Sequence, residues 1–386
     1  MKRVGILTGG GDVPGLNAAI KAFVWRMLDE PCEVIGLRRG WASLVNIVPD
    51  ASADNSPWIL PLTKTLTRAI DRTGGTVLHT SRMNPSIAKI EQIPPHLVDA
   101  KGTPDERGRF DLTRHALDVI EFLRLDALVA LGGDGTLTFA RRLHEEGVPM
   151  IAIPKTMDND VFGTDYCLGF STAVTRAVML INDLRTSAGS HERFLIVELF
   201  GRYSGETCLL ASYLGGSDRA VLAEVPFDPD AVYDLLARDK ADNPSNYAVL
   251  TISEGARTTT GFRMESGEAD AVGQRRLGGI GGYLSDLFEK KARDKVIYQR
   301  LAYLMRSGAP DSLDLITAKN FGTLAADLLR RKQTGHMTAV VGGRYAATPL
   351  ETTGQGRKRV DVARFYDSAA YQPKVAEVLG MPMFLH

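Results

Sequence analysis

Short apolar runs, each closed by glycine or a charged residue, alternate along the chain with longer stretches of helical spacing. Residues 3–8, 33–37, 127–131 and 150–154 read as strands, the last two apolar enough to be buried on both faces. Residues 194–200, 220–225, 247–252, 296–305 and 337–341 continue the series. Between them, Ala19, Ile20, Phe23, Val24 and Met27 fall on one face of a helix that Asn17 is expected to cap. Further helices are expected over 137–146, 172–185, 230–238 and 315–331, and from the 278–282 glycine cluster to Lys291. Residues 49–63, with their prolines, serines and aspartates, read as a surface connection, and 84–110 as loop plus a short helix. Strand and helix alternate throughout, so the expected fold is α/β: two doubly wound, Rossmann-like domains with mostly parallel sheets and a site in the cleft between them.

The 386 residues suffice for two cores. With 44% hydrophobic and 24% charged residues the chain reads as a soluble globular protein, and no apolar run is long enough to span a membrane. The formal net charge of +0 gives no global field for nucleic acid or an anionic membrane, so any anion site must be local. Cys32, Cys167 and Cys208 have neither metal-ligand spacing nor the number for a disulfide framework, which points to a reducing cytoplasm. Residues 1–8 are too short and too strand-like for a signal peptide.

The chemistry concentrates in Leu131-Gly-Gly-Asp-Gly-Thr136 and Pro154-Lys-Thr-Met-Asp-Asn-Asp160. A buried strand that empties into glycines and a helix start brings backbone N–H groups close to a phosphate. Asp134 at that turn is placed to hold magnesium between phosphates. The next strand delivers Lys155, Thr156, Asp158 and Asp160 to the same sheet edge, and carboxylates beside a phosphate cradle suggest phosphoryl transfer. Glycine turns at 9–15 and 74–75 join the one at 132–135; none has P-loop or dinucleotide spacing, but together at the carboxyl edge they favour a phosphate site. Arg82, Arg193, Arg202 and Arg306 stand at strand ends, where a guanidinium can fork onto a phosphate. Glu254, also after a strand, suits sugar hydroxyls. The histidines show neither triad nor metal spacing.

In order along the chain, Leu7-Thr-Gly-Gly-Gly-Asp-Val-Pro-Gly-Leu-Asn-Ala-Ala-Ile20, the Gly132–Thr136 turn, Pro154–Asp160, Gly163-Thr-Asp-Tyr-Cys-Leu-Gly-Phe170, Gly201-Arg202 and Ser253-Glu254 resemble the phosphofructokinases of the bacterial-type fold. The resemblance runs from Val4 to about Leu350. It implies transfer of a phosphoryl group to the 1-hydroxyl of fructose 6-phosphate, with Mg2+, in a homodimer or homotetramer with shared active sites. It further implies a donor-binding domain over 1–160, onto which about 310–386 partly packs, and a fructose 6-phosphate domain over 161–310. Asp158 would be the base, with Thr156 and Asp160 positioning donor and metal, and Asp134 the metal ligand. Gly11, Arg82, Met83, Gly133, Gly135, Thr136 and Lys155 would line the donor. Met157, Phe200, Gly201, Arg202, Glu254, Tyr303 and Arg306 would hold the sugar phosphate, with Arg193 reaching in from a neighbouring subunit.

Departures from the family pattern bear on specificity. Tyr303 stands where relatives often have a substrate-binding histidine, and Ile297 where an arginine is expected, leaving Arg300 or Arg293 as substitutes. Phe200 replaces a common methionine. Lys21 keeps a charge of the bacterial effector site, but Trp25 replaces an arginine there, which argues against nucleotide regulation. On the donor, Gly135 favours ATP, because pyrophosphate users usually carry aspartate at that position. Lys155 is common in pyrophosphate enzymes, and Phe139, where ATP users often have glycine, could crowd an adenine. The expectation is an ATP-dependent 6-phosphofructokinase, with a pyrophosphate-dependent one as the alternative. An NAD- or lipid-type kinase would leave 154–170 unexplained, and an inactive sugar-phosphate sensor would not need the three aspartates.

Overall fold

The structure, a computed structural model, describes residues 1–99, 101–266, 276–375 and 378–384. In chain order it contains β1 (Arg3–Thr8), α1 (Leu16–Met27), β2 (Glu33–Leu37), α2 (Ala42–Asn46), β3 (Ile59–Leu62), α3 (Thr113–Phe122), β4 (Ala127–Gly132), α4 (Asp134–Glu145), β5 (Met150–Pro154), α5 (Phe170–Ser190) and β6 (Phe194–Leu199). There follow α6 (Glu206–Gly215), β7 (Arg219–Val221), α7 (Pro229–Asp242), β8 (Ala248–Ser253), the short pair β9 (Glu265–Ser266) and β10 (Arg276–Leu277), α8 (Ile280–Ala292) and β11 (Ile297–Arg300). The chain then forms α9 (Ser312–Arg330), β12 (His336–Val341) and β13 (Arg344–Pro349).

Two sheets carry the site. The first has the order β13-β12-β5-β4-β1-β2-β3, parallel from β12 to β2 and antiparallel at both edges. The second, β11-β6-β8-β7, is parallel throughout. Every residue of β4, β5, β6 and β8 is buried, as expected where helices cover both faces of a parallel sheet. Helices α1 and α9 cross so closely that a Cβ on Gly322 would lie 2.3 Å from the Ala19 carbonyl oxygen. Buried Asp314 ties α9 to the start of α5, accepting from the Tyr166 hydroxyl at 2.5 Å and from the backbone N–H groups of Gly169 and Thr172, each at 2.8 Å. Among the described residues no helix is long and apolar enough to cross a membrane.

Several sequence expectations give way. Asn17 does not cap α1; Gly15, with φ 101°, precedes the helix, and the Asn17 side chain instead accepts from Val77 N at 2.8 Å and donates to Gly74 O at 3.3 Å. Its amide pins the 74–77 turn against the helix. The stretch read as surface connection contains β3, an edge strand that tolerates Pro61 because half its backbone groups face away from the ladder. The described residues of 84–110 form loop with three single 3-10 turns, at Pro85–Ile87, Ile90–Gln92 and Pro95–Leu97, where one short helix was expected. The strand expected over 296–305 ends at Arg300; Ala302, with φ 42°, starts a 3-10 turn that brings Arg306 toward the first sheet.

Candidate active site

The carboxyl ends of β1, β4 and β5 face those of β6 and β8 across a cavity of about 720 Å³. At its floor, Gly9 N donates to Leu131 O at 2.8 Å and Lys155 N to Gly132 O at 3.0 Å, so the three loops leave the sheet side by side. Thr136 fills the gap between them: a Cβ on Gly9 or on Gly132 would come within 2.5 Å of its side chain. Gly135, on the first turn of α4, has nothing within 4 Å of a built Cβ and opens directly on the cavity. Lys155 is buried, its Nζ donating to Gly11 O at 2.6 Å. Burial and the nearby Arg306 and Arg82 push its ammonium down to about 8.

The loop after β5 is held from its middle residue. Asn159 adopts φ 54° and is fully buried. Its amide donates to Asp165 O and to Glu206 Oε2, each at 3.0 Å, and accepts from Cys167 N at 2.8 Å. Both neighbours, Asp158 and Asp160, line the cavity. Burial pushes the Asp158 carboxyl up, helped by the facing Glu254, against the Arg202 backbone N–H that donates to it at 3.3 Å. Asp160 is pushed up by burial and by the charges of Asp158 and Asp134. Glu254 itself is pushed up to about 7 by burial, although Arg300 lies 3.4 Å from it. The cavity thus gathers Asp134, Asp158, Asp160 and Glu254 with Arg82, Lys155, Arg202 and Arg306, a distribution suited to a polyphosphate with a divalent cation.

A model of the phosphofructokinase family, "Phosphofructokinase", matches residues 3–329. The chain belongs to the phosphofructokinase family. Among its relatives, the pyrophosphate–fructose 6-phosphate 1-phosphotransferase of Dictyoglomus thermophilum is 36% identical over 369 residues, covering 95% of this chain and 97% of that one. The ATP-dependent 6-phosphofructokinase 3 of Streptomyces coelicolor is 34% identical over 370 residues, covering 95% and 98%. The phosphofructokinase of Saccharomyces cerevisiae has the same fold, with a TM-score of 0.71 at 20% identity; the match covers 92% of this chain but only 45% of that longer one. As a phosphofructokinase the protein is a kinase, and its two sheets follow the α/β arrangement expected from the alternation of strand and helix.

Of the residues singled out in the sequence, Gly11, Arg82, Met83, Gly133, Asp134, Gly135, Thr136, Lys155, Thr156, Met157, Asp158, Asp160, Phe200, Arg202, Glu254 and Arg306 line the one cavity. Gly201 lies just behind it, its carbonyl accepting from Gly255 N at 3.1 Å. Tyr303 is 63% exposed and reaches the site only through its ring, 4.4 Å from the Arg306 guanidinium. Arg193 is at the amino end of β6, on the far side of the sheet from the cavity of its own chain. Of the two candidates for the missing arginine, Arg300 ends β11 with its guanidinium 3.2 Å from Glu198 and 3.4 Å from Glu254, whereas Arg293 follows α8 at the strand's opposite end. Phe139 does not crowd the donor side: it is fully buried and packs edge-on against Trp41 at 5.0 Å. Arg357, Tyr203, Lys89, Glu91 and Gln92 also line the cavity and were missed; Tyr203 follows the Gly201-Arg202 strand end, and no strand, glycine turn or periodicity marks the other four.

Proposed function

We propose that this phosphofructokinase transfers the γ-phosphoryl group of MgATP to the 1-hydroxyl of fructose 6-phosphate, giving fructose 1,6-bisphosphate, with Asp158 as general base. The observation that carries the reading is the half-buried Asp158 carboxyl, which shares one cavity with the glycine turn and with Glu254 and Arg202. In this reading 1–160 with part of 310–386 is the donor domain and 161–310 the sugar-phosphate domain. The sugar is held by Gly201, Arg202, Glu254 and Arg306, with Met157, Phe200 and Tyr303 beside it. Asp158 takes the proton from the attacking hydroxyl, and Thr156, whose hydroxyl accepts from Asp158 N at 3.2 Å, holds that loop for in-line attack. Lys155, Arg82 and the turns at Gly11 and Gly133–Thr136 take the donor phosphates.

Asp134 and Asp160 would hold Mg2+, which when bound neutralises charge on the donor. The residues fit: the Asp160 carboxyl is raised by burial and by the negative charge of Asp158 and Asp134, which a cation relieves, and a guanidinium already rests on Asp134 at 2.6 Å. A coupled assay for fructose 1,6-bisphosphate tests the whole reading; no product with either ATP or pyrophosphate would sink it.

The pH profile tests the base. Since burial and Glu254 raise the Asp158 pKa, kcat/KM should fall as pH drops from alkaline through neutral, at higher pH than an ordinary carboxylate would dictate. Replacing Glu254 by Gln removes a negative charge, so Asp158 ionises more easily and the acid limb should move to lower pH, whatever happens to the maximum rate. A limb that stays put would mean that another group controls it. Arg193 reads as a donation across a homo-oligomer interface, supported by its distance from its own cavity. Mixing Arg193→Ala with Asp158→Asn chains should restore activity through hybrid sites; hybrids formed but inactive would refute sharing.

A further inference from the structure

The segment after β13 returns to the site along the catalytic loop. Arg357 forms an isolated antiparallel bridge with Val161, and Lys358 N donates to Asp160 O at 3.0 Å. The buried Lys358 ammonium anchors the segment further, donating to Asp165 O at 2.8 Å and lying 3.8 Å from Glu206, the carboxylate that holds Asn159. The backbone on both sides of Arg357 is therefore fixed beside Asp160, while its side chain, 34% exposed, lines the cavity. The Nε donates to Asp134 Oδ2 at 2.6 Å and the guanidinium lies 4.1 Å from the Tyr203 ring. Among the described residues the Nη atoms meet no hydrogen-bond acceptor. The result is a cation on a fixed base, resting on the carboxylate that the proposed reaction requires for magnesium, with both terminal amino groups to spare.

We propose that Arg357 is a donor-binding residue: its guanidinium sits on Asp134 in the free enzyme and forks onto donor phosphate oxygens when Mg2+ takes that carboxylate. The chemistry follows from like charge. A divalent cation and a guanidinium cannot share one monoanionic carboxylate without repulsion, and the cation arrives bound to a polyphosphate. Guanidinium and phosphate are a matched fork, so the displaced side chain finds stronger acceptors than the one it leaves. Tyr203 gives the plane an aromatic face to rest on as it moves. The exchange would keep the donor pocket electrostatically satisfied before loading and tighten it afterwards.

This inference rests on the proposed phosphoryl-transfer reading, and its test is a binding measurement that needs no turnover. Calorimetric titration of MgATP and of magnesium pyrophosphate, without sugar, should show the Arg357→Gln protein binding the preferred donor about tenfold or more weakly than the parent. Fructose 6-phosphate should bind within about twofold of the parent, since a donor-side cation lost should leave the sugar side alone. Arg357→Lys, which keeps the charge but loses the fork, should fall between. Donor affinity unchanged or tighter in a Gln variant that melts like the parent would overturn the assignment, as would equal weakening toward donor and sugar. If the Gln variant fails to fold, the Lys variant decides alone: parent-like donor affinity there refutes the fork. A parent that binds donor but makes no fructose 1,6-bisphosphate would refute the functional reading without touching this comparison.

Discussion

Replacement of Asp158 by Asn should lower kcat by roughly 100- to 10,000-fold while leaving a folded protein that still binds fructose 6-phosphate. That factor corresponds to about 3–5 kcal/mol of transition-state stabilisation. The amide matches the carboxylate in shape and can still accept from Arg202 N, so the local geometry survives. What it cannot do is take the hydroxyl proton. The stability of the variant carries the more discriminating information. Asp158, Asp160 and Glu254 line one cavity, where desolvation and then Glu254 raise the Asp158 pKa and desolvation and then Asp158 raise that of Asp160, so the folded enzyme without ligand is burdened by their repulsion. Removing one charge should leave the melting temperature equal to or above that of the parent, most visibly at alkaline pH where all three ionise. Loss of activity with retained or increased stability is the pattern of a site strained for function. Near-normal kcat would exclude Asp158 as base, and loss of activity with loss of fold would show that it is instead part of the scaffold.

The extent to which this site was legible in the sequence follows from where each residue lies relative to a buried strand. Gly132–Thr136 and Pro154–Asp160 end β4 and β5, neighbours in the sheet whose apolar runs stand out against polar flanks. Their side chains could be assigned to one edge with no knowledge of the rest. Arg202 and Glu254 follow β6 and β8 in the same way. Arg357 could not be found like this: its partner Asp134 is 223 positions away, and the segment that carries it has neither strand pattern nor helical period. The edge strands β3 and β13 were missed for a related reason. With one side open, β13 is largely exposed and Pro-containing β3 is only half-buried, so neither shows the continuous apolar run of an interior strand. Asn17 was misread because a polar residue at a helix start fits both a cap and an inward-facing anchor, and only the packing of the 74–77 turn decides between them.

The donor is expected to be ATP, and a Gly135→Asp variant should lose it. Gly135 is on the first turn of α4, at the cavity wall, where an added side chain would project into open space. An aspartate there would put a carboxylate about 4 Å from the α-phosphate of a nucleotide, a repulsion of about 4 kcal/mol at an effective dielectric near 20. That is roughly a thousandfold in affinity. Pyrophosphate has no α-phosphate beyond its reacting pair and escapes the penalty, so the variant should shift preference toward it. The steric argument against a nucleotide has lost its footing, since Phe139 is locked into the core against Trp41 and does not line the cavity. The cavity also continues past the phosphate turns along Met83, Lys89, Glu91 and Gln92, room that a nucleoside would use and pyrophosphate would leave to water. Lys155 pulls the other way, because a buried ammonium at the floor would strengthen the hold on a compact dianion, and the relatives include enzymes named for each donor. Its Nζ is engaged by the Gly11 carbonyl at 2.6 Å, however, which orients it toward the glycine loop that either donor must touch. The measurement is kcat/KM for fructose 6-phosphate phosphorylation with MgATP and with magnesium pyrophosphate, in the parent and in Gly135→Asp. A parent that prefers pyrophosphate by tenfold or more would reverse the donor assignment. A Gly135→Asp enzyme that uses ATP as well as its parent would show that the repulsion argument fails even if the assignment stands.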